Sequence, residues 1–126
     1  MVIEKSFSVA HDMFIKKISW DLDINFLDIY KKLQLFEPRL VEIYGYQDRT
    51  IYMEIINGQT LLESMNNDNY LEMCDIIRNV GLFSRQEKIN FYHHNLHFRN
   101  FMFDGSHVRM VDPDSFHIFK NGKWKT

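Results

Sequence analysis

Alanine and cysteine are almost absent from this chain of 126 residues: Ala10 is the only alanine and Cys74 the only cysteine. A single thiol excludes an intrachain disulfide and fits a reducing compartment. No stretch approaches the ~20 consecutive apolar residues of a membrane span, and the N-terminus lacks the apolar region of a signal peptide. An excess of charge is missing too. The formal net charge of -2 argues against a nucleic-acid partner or an anionic membrane. No repeat, low-complexity segment or Pro/Gly/Ser-rich linker divides the chain, so one domain over residues 1–126 is expected. These absences point to a soluble, cytoplasmic protein. The dearth of alanine beside abundant Ile, Asn, Lys and Phe suggests an AT-rich genome, viral or of a small-genome bacterium, and in the viral case the host cytoplasm.

What is present suffices for a core, since 45% of the residues are hydrophobic and the length is near that of an ordinary domain. Residues 2–9 and 13–18 read as two short strands. Asp21 is placed to cap a helix with Leu22, Phe26, Ile29, Leu33 and Phe36 on one stripe, ending before Pro38. Residues 40–44 and 50–56 make a second hairpin across Gln47-Asp48. A further helix over 69–80 has Asn69 and Glu72 as a capping box, an apolar stripe of Tyr70, Met73, Ile77 and Val80, and Gly81 as its stop. The order is strands, helix, strands, helix, hairpin, an α+β arrangement.

The last hairpin carries the chemistry. Phe101-Met102-Phe103 and Val108-Arg109-Met110-Val111 flank Asp104-Gly105, a strong turn signal between apolar runs. Residues equidistant from an antiparallel turn are neighbours, so Asn100 and Asp112 should meet at the open end. An amide oxygen and a carboxylate converging there suit Mg²⁺, which keeps several waters and takes one or two carboxylates plus substrate phosphates.

Upstream and downstream of that hairpin stand His93-His94-Asn95-Leu96-His97-Phe98-Arg99-Asn100 and Val111-Asp112-Pro113-Asp114. This resembles the catalytic loop and metal motif of aminoglycoside-phosphotransferase-type and related small kinases, H-x-D-L-H-x-x-N followed by D-x-D/E. The match covers His93, Leu96, His97, Asn100, Asp112 and Asp114, with Asn95 where the family has its catalytic aspartate. Thr50 to Leu61 similarly resembles the strand and hinge joining the two lobes of such kinases, with its "hMEhhxGxxL" pattern. The resemblance implies a minimal kinase-like fold, with a small strand-rich N-lobe over 1–56 and a reduced helical C-lobe over 57–126. It also implies binding of ATP with Mg²⁺ or Mn²⁺. Asn100, Asp112 and Asp114 become the metal residues, and His93 ties the loop to the metal-site backbone. Glu54, Ile55 and Ile56 lie beside the adenine. A second-strand lysine contacts the phosphates; the smaller Ile15 as adenine neighbour favours Lys17 over Lys16, with Asp28 as its acidic partner.

Three departures set this chain apart from an ordinary kinase. Residues 1–17 contain no glycine and so no glycine-rich phosphate loop. Asn95 can orient a hydroxyl but cannot take its proton. Little chain follows Asp114 to form the helices that bind a phosphoacceptor. A degenerate phosphotransferase with weak or altered transfer follows, or a pseudokinase-type interaction module without catalysis. An uncovered apolar surface around Tyr70 to Val80, with Phe116, Ile118, Phe119 and Trp124, would then receive a protein partner or a second copy. A different reading takes His93, His94 and His97, with His107 and His117 nearby, as a His-rich metal-binding set.

Overall fold

The computed structural model describes residues 7–10, 12–87, 90–93, 97–113, 116–120 and 123–124, with only the backbone described for 7–10, 90–93, 116–120 and 123–124. The elements are β1 (Phe7–Ala10), β2 (Met13–Lys17), α1 (Phe26–Phe36), β3 (Ile43–Gln47), β4 (Thr50–Glu54), β5 (Gln59–Thr60), α2 (Leu61–Ser64) and α3 (Asn67–Gln86), then β6 (Asn90–His93), a 3₁₀ turn (Phe98–Asn100), β7 (Phe101–Phe103), β8 (Val108–Met110), β9 (Phe116–Lys120) and β10 (Lys123–Trp124). Three antiparallel sheets result, in the orders β1-β2-β4-β3, β5-β7-β8 and β10-β9-β6. The fold is mixed α+β, with helices packed on small sheets.

Local chemistry moves several boundaries from where the sequence alone puts them. The β3–β4 turn is Asp48-Arg49 rather than Gln47-Asp48, and both residues have positive φ, 51° and 59°, as a type I′ hairpin turn demands. Arg49 is unusual in that conformation. Its carbonyl accepts from the Ile18 N–H at 2.8 Å and its guanidinium holds Asp21. Asp21 is therefore committed to Arg49, and α1 begins later, with Asn25 at its cap position and the Asp23 carboxylate accepting from the Asn25 N–H. The buried face of α1 is Phe26, Tyr30 and Leu33, with Ile29 only half-buried and Phe36 42% exposed. Tyr30 turns the helix inward because its hydroxyl reaches the Val41 carbonyl at 2.6 Å while its ring stacks on Phe26.

Helix α3 runs straight through Gly81, the expected stop. Phe83 and Ser84 beyond it are buried, and that packing outweighs the ~1 kcal/mol a helical glycine costs. The cap is Asn66, whose side chain accepts from the Asn69 N–H. Glu72 takes no part in it; its carboxylate accepts from the Val108 N–H at 2.8 Å and contacts His107 Nδ1, fastening α3 to the start of β8. Tyr70, expected inside, is 49% exposed. Gly58 is required for a different reason: a Cβ there would overlap the Phe103 carbonyl where β5 joins β7.

The four-stranded sheet is joined to β8 by residues 39–41. The Val41 N–H donates to the Met110 carbonyl at 2.9 Å, the Met110 N–H donates to the Arg39 carbonyl at 3.0 Å, and Leu40 bridges Met110 in parallel. Leu40, Val41 and Met110 are all buried in the one continuous core. Beside this seam Arg39 grips Glu37 in a fork, with Nη2 at 2.6 Å and Nε at 2.8 Å, and also reaches Asp75 and Glu72. Asn79 donates to the same nearly fully buried Glu37. Burial alone would raise the Glu37 carboxyl, but hydrogen bonds from Arg39 and Asn79 outweigh it and hold it below the usual range. A depressed carboxyl contributes stability present above its unfolded-state value and lost as pH falls through the folded one. In Arg39→Met the carboxylate stays buried without its guanidinium, at a cost of about 3–5 kcal/mol near neutral pH. Burial then raises the carboxyl, so protonation relieves the variant. Urea unfolding should show the gap to wild type narrowing between about pH 7 and pH 4, whereas an equal gap at both would contradict this role for Arg39.

Candidate functional site

A cleft of about 330 Å³ opens where the four-stranded sheet faces the β7–β8 hairpin. Its roof is Phe14 and Lys16 of β2, its back wall Val41 and Met53, its edge Glu54, Ile55 and Ile56, and its floor Met102 and Val111. Arg99, Asn100 and Asp112 complete the lining. Mostly apolar walls with a few polar groups, in a volume of this order, are the usual form of a small-molecule site.

Strand register decides which lysine enters. Residues directly opposite in an antiparallel pair share a face. Phe14 pairs with Met53 and Lys16 with Ile51. Because Ile51 and Met53 belong to the core, Phe14 and Lys16 point inward with them. Lys17 is exposed, so the structure puts Lys16 in the cleft where Lys17 was expected. Asp28 is exposed as well, and no described ion pair joins it to either lysine. It sits two residues from both Phe26 and Tyr30, on the opposite side of α1 from the buried face.

Lys16 reaches across the cleft instead. Its Nζ donates to Asp112 Oδ1 at 2.8 Å, and Asn100 Nδ2 donates to Asp112 Oδ2 at 3.1 Å. Asp112 has φ of 66°, a conformation that costs a non-glycine residue about 1–3 kcal/mol and persists only when its surroundings enforce it. The hairpin supplies that enforcement. Phe101 pairs with Met110, the Val111 N–H donates to the Asn100 carbonyl at 2.7 Å, and Asn100 and Asp112 meet at the open end as the turn symmetry requires. The loop has four residues, closed by the Asp104 carboxylate accepting from the Ser106 and His107 N–H groups.

The meeting differs from expectation in one respect. Asn100 turns its amide nitrogen, not its oxygen, toward Asp112, because its Oδ1 accepts from the His97 N–H at 3.1 Å. His97 returns the contact locally: its Nδ1 accepts from the Arg99 N–H at 3.1 Å. His97 and Asn100 thus form a reciprocal capping box at the N-terminus of the 3₁₀ turn, and the two motif residues explain each other. Asp112 is the carboxylate this arrangement offers a cation, and Asn100 could join only by rotating its amide away from His97. One carboxylate with waters and substrate phosphates completing the shell is within the habit of Mg²⁺; here both Asp112 oxygens already accept, from Lys16 and Asn100, so a cation would have to displace Lys16.

At the other end, the Glu54 carboxylate accepts from Arg109 Nη2 at 2.6 Å and from the Glu42 N–H at 3.1 Å. Glu54 is thereby part of the wall rather than a free ligand. Ile55 and Ile56 are different: neither makes a backbone hydrogen bond among the described residues, although both are half-buried along the cleft. Half-buried peptide groups of this kind are open to water or to a ligand. They form a strip of donors and acceptors ready for a flat polar edge.

Asn95 and Asp114 lie outside the described residues. His93 is described only as backbone, at the end of β6 opposite Phe116. Among the described residues no group of three His, Cys, Asp or Glu side chains could hold a metal ion. His97 is engaged in its turn and His107 with Glu72, so the described part of the His-rich set does not converge. No helix among the described residues is long and apolar enough to cross a membrane. No protein-family model matches the chain, and no curated protein matches it significantly.

Phe14, Lys16, Met102 and Arg99 were not singled out by the motif. Met102 had a signal in the alternation of β7, where Phe101 is buried and its neighbour faces the other way. Arg99 had none. If Lys16 and not Lys17 holds the cleft together, Lys16→Met should destabilise the protein by about 1–3 kcal/mol while Lys17→Met stays within about 0.5 kcal/mol of wild type. Thermal unfolding of the two variants checks this, and equal effects would contradict the register assigned to β2.

Proposed function

We propose that this cleft binds ATP with Mg²⁺ in a minimal kinase-like fold, and that the protein is a phosphotransferase-like nucleotide binder whose transfer activity is weak or absent. The observation that carries the reading is the pairing of two features at opposite ends of one apolar slot. Unpartnered backbone at Ile55 and Ile56 faces one end, and the Lys16, Asp112 and Asn100 cluster stands at the other. An adenine edge suits the first and phosphates with their cation suit the second. Phe14 and Met102, from roof and floor, supply apolar faces between which a base can stack.

In this reading Asp112 would hold the cation, the resemblance implies the same role for Asp114, and Asn100 steadies the Asp112 carboxylate. The bound ion neutralises charge on the phosphates, which is most of what phosphoryl transfer asks of a protein besides positioning. With a cation held on Asp112, Lys16 would be released from the carboxylate and could reach a phosphate. Asn95 leaves the loop without a proton acceptor, a loss worth about 10² to 10⁴-fold in rate. A slow transferase or a nucleotide-binding pseudokinase is the outcome, and the two share the same bound state.

The interaction-module reading draws on a separate face. Tyr70 and Leu71 of α3 are exposed, and Met73, Ile77, His97, Phe98 and Phe101 line a shallow hollow; a protein partner or a second copy could pack there.

Thermal shift separates the readings. ATP with Mg²⁺ should raise the unfolding midpoint of the wild type, as any ligand binding the folded state does, and Asp112→Ala should lose the Mg²⁺-dependent part. No response of the wild type at millimolar ATP would remove the nucleotide reading.

A further inference from the structure

The cleft offers two cations, and their circumstances differ. Lys16 is engaged with Asp112, so that pair brings no net positive charge to an incoming anion. Arg99 also lines the cleft, yet no ion pair or side-chain hydrogen bond involves its guanidinium among the described residues. Its backbone, by contrast, is fixed. It sits in a 3₁₀ turn closed by a reciprocal pair, its own N–H on His97 Nδ1 and the His97 N–H on Asn100 Oδ1. A held backbone under an uncommitted planar fork of five donors is a prepared partner for a phosphate.

Residues 1–17, which include β2 on the opposite side of the cleft, contain no glycine for that work. Ala10 pairs with Met13, so only residues 11 and 12 connect β1 to β2, and neither is glycine. A turn that short cannot drape over a polyphosphate or aim several N–H groups at it. Asp12, moreover, brings a negative charge. Lys16, on this side, can serve a phosphate only after leaving Asp112, so a second cation from the β7–β8 side is the one available from the start.

Resting on the nucleotide reading above, we propose that Arg99 is the phosphate anchor of this cleft, replacing the contacts that a glycine-rich loop would otherwise make. A solvated surface arginine is the competing explanation, since Arg99 is exposed; it does not account for Arg99 lining the same cleft as Asp112.

Titration calorimetry of wild type and Arg99→Gln with ATP, adenosine and inorganic tripolyphosphate tests the anchor separately from the nucleotide reading. Loss of a charge-assisted contact should weaken ATP and tripolyphosphate by about 10- to 100-fold and leave adenosine unchanged. Arg99→Lys should recover part of the loss, since the charge survives without the fork. Shifts of the Arg99 Nε–H resonance on adding tripolyphosphate to the wild type give a readout that needs no variant. Tripolyphosphate bound equally by wild type and Arg99→Gln overturns the anchor, even if adenosine binds. Arg99-dependent binding of tripolyphosphate without any adenosine binding upholds the anchor and removes the nucleotide reading. A wild type that binds neither overturns both.

Discussion

Two backbone hydrogen bonds, from Val41 to Met110 and from Met110 to Arg39, determine where everything else in this protein can be. They join the segment that leads into the four-stranded sheet to the strand that leads into Asp112. Val41 is at once a partner in that seam and part of the back wall of the cleft. Shift the seam by one residue and period-two alternation would exchange the faces of β8, moving Val108 and Met110 out of the core. The burial of Leu40, Val41, Val108 and Met110 is therefore what sets the register, and the register sets the site.

Charge is arranged around the seam in a consistent way. On the side of the seam away from the lysine, Arg39 satisfies Glu37, Asp75 and Glu72. At the cleft edge Arg109 ties Glu54 to the hairpin, and at the mouth Lys16 ties β2 to Asp112. No buried side-chain polar atom among the described residues lacks a partner. The three bridges differ in what they can give up. Glu37 is buried and its loss of partner would strand a charge, whereas Lys16 and Asp112 keep partial access to solvent and can exchange partners when a ligand arrives. That contrast makes the Arg39 cluster a structural fixture and the Lys16 bridge an adjustable one.

Sequence reasoning reached the hairpin because its logic is local. Asp104-Gly105 between short apolar runs announces the turn, and equal distance from it brings Asn100 to Asp112 without further information. It failed where the deciding partner lies far away in sequence. Asp21 looks like a helix cap until Arg49 claims it, 28 residues on. Gly81 looks like a stop until Phe83 and Ser84 find places in the core. The choice between Lys16 and Lys17 depends on which residues of β4 face them, and alternation within β2 is silent on that. Asn100 was placed correctly but with its amide reversed, since nothing in its spacing announces that the His97 N–H would claim the oxygen.

In the proposed binding mode a base edge meets the backbone at Ile55 and Ile56 while a cation and phosphates gather at Asp112. Amide chemical shifts of the ¹⁵N-labelled protein, titrated with ATP and Mg²⁺, observe both ends of the cleft in one experiment. Binding in this mode should give the largest changes at Ile55, Ile56, Met102, Val111 and Asp112, saturating together. Saturable changes confined to the outer face of α3 around Tyr70 and Leu71, or no change at millimolar ATP, would contradict it.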